Sequence, residues 1–277
     1  MEDLDFTSAA RPAKSAIYDP AVARACFESI GKVEIVPQGG AFFTENQSSD
    51  RMYLLVDGDV SLIHGKKVID QVKAGEIFGE MAAISQLPRS ATAAAKTACR
   101  AFSLDSHQFL GAIQKTPEFA LMLMNILINR VRLTAAIVSR NLVDGGKLPV
   151  RRVFDEELLA ELVQRSPRRP PTHVPLNKVI MKEGEGGVFM YVVLEGRVAI
   201  SIKSKLVERI GPGGVFGEMA LIDQSPRAAT AVAEIDSNLL SINRNDFLSL
   251  VKSNPAFAVA LLQGLAGRLR YLTSFHR

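Results

Sequence analysis

Displaced by 138 positions, the sequence lies on itself without a gap. Gly75 to Thr92 reads GEIFGEMAAISQLPRSAT, Gly213 to Thr230 reads GGVFGEMALIDQSPRAAT, and 12 of the 18 positions are identical. The same displacement pairs Pro37 with Pro175, Met52-Tyr53 with Met190-Tyr191, and Gly58 with Gly196. Downstream it pairs Phe109 with Phe247, Pro117 with Pro255, Phe119 with Phe257 and Arg130 with Arg268. Solenoid units recur every 20–50 residues or so, which is far shorter. The period here is that of a whole domain plus its connection. The chain therefore holds two copies of one fold.

Each copy opens with short runs rich in Val, Ile, Tyr and Phe, broken by Gly, Asp and Asn. Met52 to Val56 precedes Asp57-Gly58, and Met190 to Leu194 precedes Glu195-Gly196. Short strands with turn signals at close spacing predict a β-sandwich or barrel. The run Phe42 to Asp50 reads equally well as a loop. Each copy then turns helical over Ser106 to Gln114 and Asn245 to Lys252. Longer stretches with apolar residues at helical spacing follow Pro117 and Pro255, where proline fits a helix start. The expected fold is mainly β with helices (α+β): two jelly-roll-like β-rolls, each followed by helices. The expected organisation is a leader at 1–30, a first domain at 31–140, a linker with a short helix at 141–171 and a second domain at 172–277. Within the linker, Asp144-Gly145-Gly146 is a break and Asp155 to Gln164 reads as an amphipathic helix. Arg165 to Pro171 reads as a stiff basic connection.

Hydrophobic residues make up 47% of the chain and charged residues 22%, the balance of a globular protein and not of a disordered one. A net charge of +4 is too small an excess to argue for nucleic acid, but it suits an anionic ligand. The two cysteines, Cys26 and Cys99, allow no disulfide framework and no metal spacing, and point to a reducing compartment. The N-terminus is acidic where a signal peptide is basic. The most apolar run, Phe119 to Ile128, carries Asn125 and reads as too short for a bilayer. The expectation is a cytoplasmic protein with no membrane segment.

The segments Phe78-Gly79-Glu80-Met81-Ala82 through Pro88-Arg89-Ser90-Ala91-Thr92, and Phe216-Gly217-Glu218-Met219-Ala220 through Pro226-Arg227-Ala228-Ala229-Thr230, resemble the phosphate-binding cassette of cyclic-nucleotide-binding domains. That family includes the catabolite activator protein, the regulatory subunits of protein kinase A and cyclic-nucleotide-gated channels. The resemblance runs from about Gly31 to Thr273, the linker excepted, and the cassette occurs twice with the same step from glycine to arginine. A cyclic nucleotide offers one singly charged phosphodiester, a ribose 2′-hydroxyl and a flat base. Gly79 and Gly217 would let backbone N–H groups at a helix start approach the phosphate. Arg89 and Arg227 would pair with the exocyclic oxygens, where a planar donor fork serves better than an ammonium. Glu80 and Glu218 would accept from the ribose hydroxyl. A carboxylate beside a phosphate is unfavourable on its own, so a further arginine is expected near it. Ser90 could add a bond to the phosphate, and Met81, Ala82, Thr92, Met219, Ala220 and Thr230 complete the two cassettes.

The resemblance also bears on the base. Alanine after the arginine goes with cAMP in protein kinase A regulatory subunits, and threonine with cGMP in the cGMP-dependent kinases. Ala228 therefore points to cAMP. Serine occurs at this place in bacterial cAMP receptors, so Ser90 is read the same way, with cGMP kept open at the first site. In the catabolite activator protein hydroxyl residues on the C-terminal helix reach the adenine. Thr134 and Thr273 lie near the equivalent places, and Tyr271 could stack on the base instead.

No catalytic constellation is visible, so no enzyme and no metal or organic cofactor is expected; the ligand itself is cAMP. With the sequence ending at Arg277, no helix-turn-helix is expected after the second β-roll. The output is expected to be a change of shape passed to an unidentified effector protein. The stripes Phe119, Met122, Ile126 and Phe257, Leu261, Leu265 could cover their own β-rolls, pack on each other, or seal a homodimer. Two alternatives stand beside this reading. Arg11 to Ile17 faintly resembles the inhibitor segment of kinase regulatory subunits. The basic linker could meet nucleic acid, which the lack of accompanying aromatics argues against.

Overall fold

The computed structural model describes residues 19–141, 150–165 and 170–273. The chain divides into two compact units, Met1–Met122 and Leu123–Arg277.

The first unit opens with helix α1 (Pro20–Ile30). Asp19 caps it, its carboxylate accepting from the Ala21 N–H, and Pro20 stands where a missing N–H costs nothing. Ala23 and Phe27 of this helix, which falls within the stretch expected as a leader, are fully buried. Eight strands follow: β1 (Lys32–Val36), β2 (Ala41–Phe43), β3 (Met52–Asp57), β4 (Asp59–His64), β5 (Lys67–Lys73), β6 (Ile77–Phe78), β7 (Thr92–Ala95) and β8 (Cys99–Leu104). They form two antiparallel sheets, ordered β1-β8-β3-β6 and β2-β7-β4-β5. Of the ambiguous run Phe42 to Asp50, Phe42 and Phe43 are strand and the rest connects β2 to β3. Helix α2 (Glu80–Ser85) interrupts the strands between β6 and β7. Helix α3 (Ser106–Lys115) starts on a capping box in which Asp105 and Gln108 satisfy each other's backbone N–H groups.

Helix α4 (Pro117–Asn141) begins in the first unit and continues into the second. Its segment Pro117–Ala136, longer than the run Phe119 to Ile128, is long and apolar enough to cross a bilayer by length and composition alone. Just over half of that stretch, 56%, is buried inside the protein, as in the core helix of a globular fold. Phe119 sits edge-on to Phe27 and Phe109 in the first unit.

The second unit adds strand β9 (Val150–Arg151) and helix α5 (Glu156–Gln164), the latter capped by Asp155. It then repeats the first plan: β10 (Thr172–Val174), β11 (Val179–Met181), β12 (Phe189–Glu195), β13 (Val198–Ile202), β14 (Lys205–Ile210), β15 (Val215–Phe216), α6 (Glu218–Asp223), β16 (Thr230–Ala233), β17 (Ser237–Asn243), α7 (Arg244–Ser253) and α8 (Pro255–Thr273). The sheets run β10-β17-β12-β15 and β11-β16-β13-β14-β9, with β9 added in parallel to β14. Phe257 of α8 stacks on Phe154 and meets Phe247 edge-on, and Leu261 and Leu265 are buried. The stripes Phe119, Met122 and Phe257, Leu261, Leu265 are thus core of the chain itself, with Ile126 half-buried. The α+β fold read from the repeat stands. Asp144-Gly145-Gly146, Arg11 to Ile17 and residues 166–169 of the basic connection lie outside the described residues.

The cores of the two β-rolls match in detail. Tyr53 pairs with Phe78 across β3 and β6, and Tyr191 with Phe216 across β12 and β15. In both pairs the rings stack at 5.1 Å with an interplanar angle of 21°. Each such aromatic contact adds about 0.5–1.5 kcal/mol to its area burial. The consequence is positional: Phe78 and Phe216 each sit one residue before the cassette glycine, so the ring stack fixes where the cassette begins.

Candidate functional site

Each cassette starts at a glycine in the left-handed conformation, Gly79 at φ 73° and Gly217 at φ 78°. This turn lets α2 and α6 start directly beneath the sheet edge, with no side chain capping their first turns. A Cβ at Gly79 would lie 2.8 Å from Nη1 of Arg89, and one at Gly217 would lie 2.6 Å from Nη1 of Arg227. Glycine is needed twice over, for the turn and for the close approach of the arginine.

The arginines are buried, Arg89 at 1% exposure and Arg227 at 6%. Arg89 donates from Nη1 to the Gly79 carbonyl at 2.6 Å, and from Nη2 to the Arg51 carbonyl at 2.5 Å and the Ser49 hydroxyl at 2.6 Å. Its guanidinium also lies 3.9 Å above the Phe43 ring. Arg227 donates from Nη1 to the Gly217 carbonyl at 2.7 Å and from Nη2 to the Phe189 carbonyl at 2.6 Å. Both arginines are thus held by backbone carbonyls, with the Ser49 hydroxyl added for Arg89. Burial pushes both guanidiniums below their ordinary pKa, partly offset by Tyr53, Glu80 and Asp50 around Arg89 and by Tyr191 and Glu218 around Arg227. In each, Nε is buried and without a hydrogen-bond partner. A buried cation with an open donor is costly unless an anion completes it.

The arginine expected beside the cassette carboxylate is present in the second unit. Arg268 of α8 donates to Glu218 at 2.5 Å, to Glu208 at 3.0 Å and to the Val215 carbonyl at 3.2 Å. Burial opposes its charge, but Glu208 and Glu218 outweigh that and hold it above its ordinary pKa. Glu208 is in turn 2.9 Å from Nε of Arg151 in an ion pair that is not aligned as a hydrogen bond. Two carboxylates and two guanidiniums thus alternate from the cassette to β9.

The second cassette opens on a cavity of about 260 Å³. Gly217, Glu218 and Arg227 of the cassette line it, with Ile200 and Ile202 of β13, Arg132 of α4 and Tyr271 of α8. Apolar walls with a few convergent polar groups are the usual make-up of a small-molecule site. Arg132 of α4 clamps the cassette: it donates to both carboxylate oxygens of Asp223, at 2.6 and 3.0 Å, and to the Pro226 carbonyl at 3.1 Å.

Of the residues singled out in the sequence, Met219, Ala220 and Ala228 line this cavity, as does Tyr271, over which Arg151 lies at 4.8 Å. Thr273 does not line it; its hydroxyl donates to the Arg270 carbonyl of its own helix at 2.8 Å. Thr134 is half-buried on α4. Thr92 and Thr230 accept from the N–H groups of Glu45 and Glu183, tying each cassette's end to the loop facing it. Ser90 is half-buried, Ala82 is buried in α2 and Met81 is half-buried. Sequence reasoning missed Ser49, Glu208, Arg132 and the carbonyls that hold the arginines. A signal existed for Arg268, which the repeat retains as the counterpart of Arg130.

The pattern that defines the cyclic nucleotide-binding domain matches residues 33–116 and again 171–254, more than half the chain. The chain belongs to the cyclic nucleotide-binding domain family. It is 38% identical over 101 residues to the cyclic AMP receptor protein of Thermus thermophilus, a match covering 35% of this chain and 47% of that one. It is 24% identical over 220 residues to the cAMP-dependent protein kinase regulatory subunit of Yarrowia lipolytica, covering 77% of this chain and 52% of that one. Among solved structures, the regulatory subunit of a cAMP-independent protein kinase A from Trypanosoma brucei is similar at 20% identity, with a TM-score of 0.35, over 88% of this chain and 82% of that one. The chain spans about half the length of these two curated relatives.

Proposed function

We propose that this protein is a cytoplasmic cAMP receptor with one binding site in each unit, whose output is a ligand-dependent change of shape read by a partner protein. The observation that carries this is the buried arginine of each cassette, anchored at both Nη atoms and left with an open Nε. An exocyclic phosphate oxygen supplies the missing acceptor, and its charge offsets that of the guanidinium. Gly79 and Gly217 give the phosphate room against the backbone. Glu80 and Glu218 accept from the ribose 2′-hydroxyl, with Arg268 donating to Glu218. Met81, Ala82, Ser90 and Thr92, with Met219, Ala220, Ala228 and Thr230, complete the two sites. In the second, Tyr271 is the group that faces the base. Ala228, without a hydroxyl, supports adenine there. The similarity to a kinase regulatory subunit over 77% of the chain supports a protein as the receiver of the signal.

Calorimetric titration of the full chain with cAMP, and then with cGMP, tests the reading. Two sites per chain are expected, with Arg89→Ala removing the first and Arg227→Ala the second. Each loss should be about 2–5 kcal/mol. Absence of heat and of thermal stabilisation with both nucleotides would defeat the proposal while leaving the fold intact.

A further inference from the structure

The two cassettes are nearly identical, but the walls facing them are not. In the second unit the lining of the cavity includes Ile202, Lys203 and Ala228, the last following the arginine in sequence. The 138-residue displacement puts His64, Gly65 and Ser90 at these places in the first unit. An apolar side chain, a lysine and an alanine are thus exchanged for an imidazole, a glycine and a serine.

His64 is tied directly to the first cassette. Its Nδ1 lies 3.0 Å from the backbone carbonyl of Ser90 and 3.0 Å from a carboxylate oxygen of Glu45. Both are acceptors, so Nδ1 carries the hydrogen, and in the neutral ring Nε2 is then an acceptor. Glu45 is fixed in the same corner: its second oxygen accepts from Gly65 N–H at 2.8 Å, and its own N–H donates to Thr92 at 2.9 Å. With its ring neutral, His64 offers Nε2 as an acceptor and the Ser90 hydroxyl can accept as well, where the second unit has Ile202 and Ala228; the Glu45 carboxylate is matched there by Glu183, which accepts from Lys203 N–H at 2.7 Å.

We propose that His64 is a specificity-determining residue of the first site, shifting it towards a guanine base relative to the second. The proposal rests on the reading of both cassettes as cyclic-nucleotide sites. Guanine presents adjacent donors, N1–H and the 2-amino group, to a row of acceptors. Adenine presents an amino donor beside an unprotonated N1, which would face acceptor against acceptor. A site built around hydrogen bonds discriminates most strongly against the base that leaves them unmade.

The test isolates each site in the full chain. Arg227→Ala leaves the first site to be titrated with cGMP and cAMP, and Arg89→Ala leaves the second. The ratio of cGMP to cAMP affinity is expected to be about tenfold higher at the first site, a readily measured difference. Adding His64→Ile to the Arg227→Ala chain should collapse that ratio towards the second site's. Adding Ile202→His to the Arg89→Ala chain should raise the ratio at the second site, which decides the matter if His64→Ile fails to fold. A purely structural role for His64 would weaken both nucleotides alike, so an unchanged ratio at a site that still binds overturns the proposal. A first site that binds neither nucleotide before any change at His64 overturns the functional reading itself, and this inference with it.

Discussion

Around Arg227 the tightest constraint is a residue outside the cassette. A Cβ at Gly187 would fall 2.1 Å from Nε and 2.2 Å from Cζ of that arginine. Gly187→Ala is therefore expected to push Arg227 off its carbonyl anchors and lower second-site affinity by about tenfold or more, since a displacement of about 1 Å can cost a hundredfold. The first site, titrated in the same protein, should be unaffected. Gly217→Ala should do worse, because its left-handed backbone adds about 1–2 kcal/mol of strain, visible as a lower melting temperature without ligand. In the first unit the place of Gly187 is held by Ser49, whose hydroxyl accepts from Arg89 at 2.6 Å. Gly, Glu and Arg of each cassette were legible in the sequence because both copies retain them at one spacing. Ser49 and Gly187 were not, because the two copies solve the same packing problem with different residue types in a loop some 40 positions from the arginine.

Among the elements, α4 does more than close a β-roll. Arg132, at 21% side-chain exposure, meets the 5%-exposed Asp223 with two hydrogen bonds and reaches Pro226, so it holds both ends of the short segment that leads from α6 into Arg227. Arg132→Ala leaves Asp223 buried without this partner and is expected to destabilise the second unit by about 1–3 kcal/mol. Faster loss of nucleotide from the second site, followed by fluorescent-analogue displacement, would accompany it. The helices after Pro117 and Pro255 were readable from apolar spacing, and α5 from Asp155 and its amphipathic run. Helix α1 has a start signal in Asp19-Pro20, but a short segment ahead of the first β-roll reads as a leader when nothing local shows what Phe27 packs against. Strand β9 gave no signal at all: two residues pairing in parallel with β14 are held by a contact almost 60 positions away, which no local pattern encodes.

At the scale of the whole molecule, the exact 138-residue displacement makes the two units independent experiments on one design. Ligand at a hundred times its dissociation constant stabilises its own unit by about 2.7 kcal/mol. In calorimetric melting with saturating cAMP, Arg89→Ala should suppress stabilisation of the first unit only, and Arg227→Ala that of the second. Loss of both shifts in either single variant would contradict independent sites. The fold class was legible at this scale because the repeat is long and gapless, and the division of α4 between the units was not, since a continuous helix carries no mark of where one core ends and the next begins. The anchoring of Arg89 and Arg227 to backbone carbonyls has a consequence in time. Neither side chain has to be recruited from solvent when a nucleotide arrives, so the slow search for a productive rotamer is already over. In stopped-flow mixing the observed capture rate should then climb in proportion to nucleotide concentration, without levelling off at a ceiling set by reorganisation of the arginine.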